Sequence, residues 1–276
     1  MFDFAALEAQ LADTLSAGKL HFFPVIGSTN AEALAAARSG APHGSVYFAD
    51  EQTAGRGRDD HGWHSAAGEG LYVSVVLRPQ ISAACLPLLP LAAGLAAAEA
   101  IRAVSGLEID LRWPNDLLIS TPRTKTYPWG PRLGPRKTGG ILAEATIHSK
   151  GAVHAVVVGI GINVHQRSFP SGLATPATSL DLESGRAISR QALLVGLLKS
   201  LQRETCALSD SAEAKTISAR VEQASTWVRG RSVVVHGPQS CIGVTAGLDE
   251  NGFLLVETTA GTVTVQTGGL RAAEDD

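Results

Sequence analysis

Phe4, Leu7, Leu11 and Leu15 recur at intervals of three and four residues, which places them on one face of a short amphipathic helix ending near Gly18. An apolar run over 20–25 predicts a strand. The polar triplet Ser28-Thr29-Asn30 then precedes an alanine-rich stretch, 31–38, closed by Gly40. One of these three side chains can cap a helix whose free amide groups face the preceding loop. Strands are predicted at 45–49 and 71–77, bracketing a polar, glycine-rich loop at 50–70. A helix follows over 86–104, then short strands at 109–113 and 117–119 around a Pro114-Asn115-Asp116 turn. The β candidates 141–147 and 153–162 are joined by the hairpin-like 148–151, which favours an antiparallel or mixed sheet over a parallel one. A helix over 188–208 carries the stripe Leu193, Leu194, Leu197, Leu198 and Leu201.

From about Trp227 the pattern shortens to alternating strands with turns at Gly237-Pro238, 249–252 and Ala260-Gly261. The predicted organisation is an α+β domain over 1–226 and a small β-barrel over 227–276. The segment 120–136 breaks the rhythm: it is rich in proline and basic residues and has no acidic one. It reads as a loop, either a solvated insertion or a basic flap near an anionic ligand.

Composition narrows the classes. With 276 residues, 45% of them hydrophobic and 18% charged, the chain can fill a core and is not a disordered segment. A net charge of -3 gives no global positive field for a nucleic-acid backbone. Cys85, Cys206 and Cys241 form no CxxC pair, which argues against a disulfide framework or a cysteine-bound zinc and fits a reducing cytoplasm. Met1-Phe2-Asp3 lacks the basic start of an export signal. The longest apolar run, 85–98, holds Pro87, Pro90 and Gly94 and falls short of the roughly 20 residues a spanning helix needs, so no membrane association is expected.

The densest chemistry is Glu51-Gln52-Thr53-Ala54-Gly55-Arg56-Gly57-Arg58, where glycines permit close backbone approach and two arginines supply cationic forks. That loop suits a phosphate or carboxylate, and by itself reads equally as a surface turn. It is neither a P-loop nor a dinucleotide fingerprint, since no GxxxxGK[ST] occurs and a strand, not a helix, follows it. Lys137, before Thr138-Gly139-Gly140, is either a point charge at the start of a strand beside close backbone or a solvated edge lysine. Asp116 is turn material, a base, or a magnesium ligand. No HExxH and no GxSxG are present, so the best signals of a zinc hydrolase and of a serine hydrolase are missing, and no fixed protein metal site is expected.

Five motifs in one order are more informative than any one of them: Ser28-Thr29-Asn30; Gln52 to Arg58 with Trp63; Trp113-Pro114-Asn115-Asp116; Lys137-Thr138-Gly139-Gly140-Ile141-Leu142; and Gly159-Ile160-Gly161-Ile162-Asn163-Val164. Together they resemble biotin protein ligase. The resemblance implies a class II aminoacyl-tRNA synthetase/biotin synthetase-like catalytic domain with a C-terminal SH3-like barrel. It implies ATP and biotin as substrates, Mg2+ with ATP, and a biotin carboxyl carrier protein as partner. By the same resemblance, Ser28, Thr29, Asn30 and Gln52 meet the ureido ring, Arg56, Gly57 and Arg58 close over the adenylate, and Lys137 contacts the carboxylate and phosphate. Gly159 and Gly161 give the bicycle room, Trp63, Asn115 and Asn163 face the nucleotide, and Asp116 orients or accepts the proton of the carrier lysine.

Only 27 residues precede Ser28, too few for the winged helix-turn-helix of some relatives, so no DNA partner is expected. The resemblance allows a homodimer through sheet edges. A lipoyl or octanoyl transferase would use a related lysine without the Gly-Arg-Gly-Arg loop. A regulator without turnover and an RNA-binding protein are the readings from other classes.

Overall fold

The computed structural model describes residues 2–58, 61–78, 85–120, 126–127, 130–131, 134–147 and 153–273. Helix α1 (Phe4–Gln10) starts at Asp3, whose carboxylate accepts from the Ala6 amide at 3.1 Å. It stops before the predicted end: Thr14 Oγ1 donates to the Leu11 carbonyl at 2.7 Å, and the chain continues in turns. Strand β1 (Leu20–Ile26), helix α2 (Thr29–Arg38), β2 (Val46–Gln52), β3 (Gly70–Leu77) and α3 (Leu88–Ser105) follow. Then come β4 (Asp110–Arg112), β5 (Asp116–Ser120), β6 (Thr126–Tyr127), β7 (Gly130–Pro131), β8 (Pro135–Ile147) and β9 (Val153–Asn163). Helices α4 (Leu180–Ser184), α5 (Arg190–Ala207), α6 (Ser211–Ala214) and α7 (Thr216–Gln223) lead to β10 (Arg229–His236), β11 (Cys241–Leu248), β12 (Leu254–Thr258), β13 (Gly261–Val265) and β14 (Gly269–Ala272).

The main sheet has seven strands in the order β1-β2-β3-β9-β8-β5-β4. Only β1 and β2 run parallel, with α2 as their crossover; the other neighbours are antiparallel, so the sheet is mixed. Its two faces separate by the strand period of two. Val156, Val158, Ile160 and Ile162 of β9 face the large core with α3 and α5, while Ala155 and Val157 pack with Ala33, Leu34 and Ala37 of α2. Continuing along that second face, beyond the N-terminus of α2, are Gly159, Gly161 and Asn163. Helix α2 therefore covers only part of the face, and the remainder is open for a ligand.

Helix α3 is long and apolar enough to cross a membrane by length and composition alone. Its Leu89, Ala92, Ala93, Ala96, Ala97 and Ile101 are instead buried with the leucine stripe of α5. Each fully buried leucine contributes roughly 1.5–3 kcal/mol, which is enough to account for the apolarity as core packing. Short α4, α6 and α7 are not evident in the periodicity; Ser179 and Asp210 cap the first two. Part of the segment predicted as loop is ordered as the β6–β7 pair and the start of β8, whereas 121–125, 128–129 and 132–133 lie outside the described residues, as do 148–151 of the predicted hairpin turn.

The C-terminal strands form a five-stranded antiparallel sheet, β13-β12-β11-β10-β14. It shares the main core: Val233, Val235, Leu254, Val256 and Leu270 join the same buried cluster, and the Trp113 indole donates to the Gly252 carbonyl at 3.0 Å. That contact brings the C-terminal sheet to the edge of the open face.

Candidate active site

A cavity of about 430 Å³ occupies the open face. The start of α2, the loop after β2, β3, the 113–116 turn, β8 and β9 all contribute to its wall, as do residues 169–177 and the C-terminal sheet near Gly268. Every residue predicted for the site lines it.

Lys137 reaches the cavity through an irregularity. On β8, Gly140 and Leu142 pair with Gly161 and Gly159 and share their face, so an odd-numbered residue should point the other way. Between β5 and β8, however, Leu117 pairs with Gly139 and Leu118 with Lys137, leaving Thr138 as an extra residue. This bulge turns Lys137 onto the cavity face, and the missing side chain of Gly140 leaves room for its stem, 3.4 Å from where a Cβ would stand. Lys137 is therefore inside β8, not at its beginning as the sequence suggests.

Its ammonium lies 2.5 Å from Asp116 Oδ1 and 5.5 Å from the Trp63 ring centre. Asp116 Oδ2 accepts from Arg112 Nε and Nη2 at 3.0 and 2.5 Å. Burial alone would raise the Asp116 carboxyl, but the charges of Lys137 and Arg112 and their hydrogen bonds outweigh it and hold the carboxyl below its ordinary range. A carboxylate so stabilised is a weak base; the geometry makes Asp116 a holder of Lys137.

The arginine loop folds back on itself: Gly57 donates its amide to the His61 carbonyl at 2.7 Å and Trp63 to Gly55 at 2.8 Å, with 59–60 outside the described residues. Arg56 pairs with Glu144 at 3.0 Å. Arg58 donates to the Gly268 carbonyl at 2.9 Å, Thr267 Oγ1 at 3.1 Å and Asn115 Oδ1 at 3.4 Å. Asn115 is itself fixed to β8 by Nδ2 donating to the Ile141 carbonyl at 2.8 Å. Arg56, Arg58 and Lys137 thus converge on one cavity, and Arg58 and Asn115 tie the loop to two other walls.

At the start of α2, Ser28 caps the helix by accepting from the Ala31 amide, and Thr29 and Asn30 form its buried first turn. Gln52 has its amide engaged within the protein, Oε1 accepting from Thr29 and Nε2 donating to Ser65. Asn163 is likewise occupied, donating to the Thr178 carbonyl and accepting from Gln166. Gly159 and Gly161 line the cavity beside close neighbours: added Cβ atoms would stand 2.5 Å from Asn30 Oδ1 and 2.6 Å from the Trp63 indole. The glycines make room for these two side chains, which then form the wall.

The sequence reading passed over Arg112 and Glu144. Arg112 sits four positions before Asp116 across a tight β4–β5 turn, and Glu144 alternates with Gly140 and Leu142 along β8; both spacings are legible once the pairing is known. Among the described residues no group of three or more His, Cys, Asp or Glu is placed to hold a metal ion.

Comparisons with known proteins agree with this arrangement. A model of the biotin/lipoate A/B protein ligase family matches residues 22–163. The bifunctional ligase/repressor BirA of Bacillus subtilis is 33% identical over 247 residues, covering 88% of this chain and 70% of that protein. The biotin--[acetyl-CoA-carboxylase] ligase of Mycobacterium tuberculosis is 34% identical over 248 residues, 88% and 84% of the two chains. With the Bacillus spizizenii BirA, 39% identical over 181 residues, the match covers 65% of this chain and spans about half, 51%, of that protein. The structure of Aquifex aeolicus biotin protein ligase with biotin and ATP superposes with a TM-score of 0.75 at 29% identity, over 93% of this chain and all (100%) of that one. The chain therefore belongs to the biotin/lipoate A/B protein ligase family, among its biotin protein ligases.

Proposed function

We propose that this protein joins biotin to ATP, forming biotinyl-5'-adenylate and pyrophosphate, and then transfers the biotinyl group to a lysine of the biotin carboxyl carrier protein of acetyl-CoA carboxylase. The observation that carries the reading is the convergence of Arg56, Arg58 and Lys137 on a cavity that also presents Ser28, Thr29 and Asn30. A carboxylate attacking an α-phosphorus brings two anions together while pyrophosphate leaves with further negative charge. Preset cations at that point lower the barrier because they need no reorganisation as charge develops.

In the first step the biotin carboxylate oxygen bonds to the α-phosphorus as the bond to pyrophosphate breaks. Lys137, held by Asp116 and Arg112, sits where those groups meet. Arg58 and Asn115 close the nucleotide side with Trp63 and Gly57, and Asn163 supports that wall from behind. The ureido end is recognised by Ser28, Thr29 and Asn30, with Gln52 fixing Thr29; pairing in a pocket of this kind discriminates strongly against analogues that leave a buried partner unmatched.

In the second step the carrier lysine nitrogen bonds to the acyl carbon and AMP departs. A free lysine with a pKa near 10.4 is about 99.9% protonated at neutral pH, so it must give up a proton to water on the way. Asp116 is assigned the orientation of the cations beside that reaction rather than proton abstraction. Mg2+ would arrive with the ATP phosphates and supply charge neutralisation; the described residues offer no cluster to hold it on their own. The reading also takes the C-terminal sheet as an SH3-like barrel, the setting as cytoplasmic, and the chain as capable of homodimerising.

Incubation with labelled biotin, ATP and a carrier domain tests the reading. Label is expected on the carrier only when ATP is present, and not when lipoate or octanoate replaces biotin. Transfer of octanoate in place of biotin would overturn it.

A further inference from the structure

Glu144 lies on β8, on the face of Gly140 and Leu142, but is not among the residues lining the cavity. Its two carboxylate oxygens are divided between two residues that do line it. Oε2 accepts a short hydrogen bond from Asn30 Nδ2, and Oε1 accepts from Arg56 Nη2 at 3.0 Å. Asn30 belongs to the first turn of α2 and Arg56 to the arginine loop, so one side chain ties two elements of the cavity wall together.

The contact dictates a polarity. A carboxylate only accepts, whereas a carboxamide has one donating and one accepting end. Asn30 must therefore turn its nitrogen toward Glu144, and its oxygen lies on the other side. That oxygen is buried without a hydrogen-bond partner and sits against Gly159, where a Cβ would come within 2.5 Å of it. Both Asn30 and Gly159 line the cavity. A lone buried acceptor is unfavourable unless something supplies a donor, and a cyclic urea supplies two N–H groups.

We infer that Glu144 is a positioning residue: it locks the Asn30 carboxamide with its oxygen presented to an N–H of the substrate's cyclic urea, and through Arg56 tethers the arginine loop to the same strand. The inference rests on the biotin reading above. Replacing Glu144 by the isosteric glutamine removes both constraints at once, because a glutamine amide can donate to Asn30 as readily as accept from it and pairs weakly with a guanidinium.

Titration calorimetry with biotin, alongside thermal unfolding, tests this. The unsubstituted protein is expected to bind biotin; if it does not, the biotin reading fails and takes the inference with it. Given binding, Glu144→Gln should weaken it about tenfold or more, and the same substitution in an Asn30→Ala background should cost clearly less, only what the Arg56 tether contributes. Equal losses in both backgrounds, or no loss in either, would overturn the inference. Asn30→Asp places two carboxylates face to face and should abolish binding. Adding Glu144→Gln to it provides a donor to the new carboxylate and should restore binding to within about tenfold of the original. A merely structural role for Glu144 would instead make the double variant worse than Asn30→Asp alone, and that outcome too would sink the idea.

Discussion

Lys137 Nζ stands 2.5 Å from Asp116 Oδ1, and the same carboxylate is shared with Arg112 on its other oxygen. Two cations of like sign are thus held on either side of one anion at the edge of the cavity. The pair belongs to adjacent strands, β5 and β8, and exists because the bulge at Thr138 turns Lys137 toward the carboxylate.

Removing the ammonium should abolish the charge that bridges the two reacting anions. Lys137→Ala is expected to lower biotin-dependent exchange of labelled pyrophosphate into ATP by about a hundredfold or more, with some fall in the thermal midpoint as well, since Asp116 keeps only Arg112 as its cation. An exchange rate close to that of the unsubstituted protein would place the activating cation elsewhere.

Asp116→Asn tests the holder. Its carboxyl is held below the ordinary range by Lys137 and Arg112 against the opposing effect of burial. A carboxylate whose folded-state pKa is depressed contributes stability that is present above its unfolded value, near 3.9, and is lost as pH falls through the folded one. The variant should therefore be less stable than the original at neutral pH, by about 2 kcal/mol or more since two cations lose their anion. The difference should shrink in acid below about pH 4, as denaturant midpoints across that range would reveal. Both catalytic steps should slow together, because Lys137 loses its support; loss of transfer alone, with normal pyrophosphate exchange, would return Asp116 to the role of base.

Long periodic elements were legible from the chain: the leucine stripe of α5, the strands β3 and β9, and the polar triplet at the start of α2 all follow from period and capping chemistry. Convergence of the five motifs was legible through resemblance. What periodicity could not show was the bulge, since one unpaired residue between strands distant in sequence leaves no local trace, and without it Lys137 falls on the wrong face. Which neighbours Gly159 and Gly161 accommodate was not legible for a similar reason. A missing side chain signals a close neighbour but does not say whether it is a ligand or, as here, Asn30 and Trp63. Helices as short as α4 and α6 rest on a single capping side chain and carry too few apolar positions to establish a period.

Gly161→Ala follows from that second point. The new methyl would stand 2.6 Å from the Trp63 indole, far inside contact distance, while β9 is fixed by β3 and β8 on both sides. The ring must move, and with it the neighbour of Lys137. The KM for ATP in the exchange assay should rise roughly tenfold to a hundredfold, with biotin binding at the Asn30 end less affected. Unchanged ATP kinetics would show that Trp63 does not define the nucleotide wall.

Arg58→Gly probes closure of the loop. Arg58 fastens the loop to Thr267 and Gly268, between β13 and β14, and to Asn115 of the 113–116 turn. Those three partners are neutral, so a phosphate can share the guanidinium without first displacing an anion, and the arginine can keep the loop closed over a bound adenylate. Glycine removes both the tether and the charge, and restores backbone freedom at the point where the loop must be held. Formation of biotinyl-5'-adenylate should persist at a reduced rate while its retention fails, so that the released mixed anhydride labels lysines of an unrelated bystander protein such as serum albumin. Bystander labelling by the variant should exceed that by the original several-fold at equal ATP consumption. Equal labelling by the two proteins would mean that Arg58 plays no part in holding the intermediate.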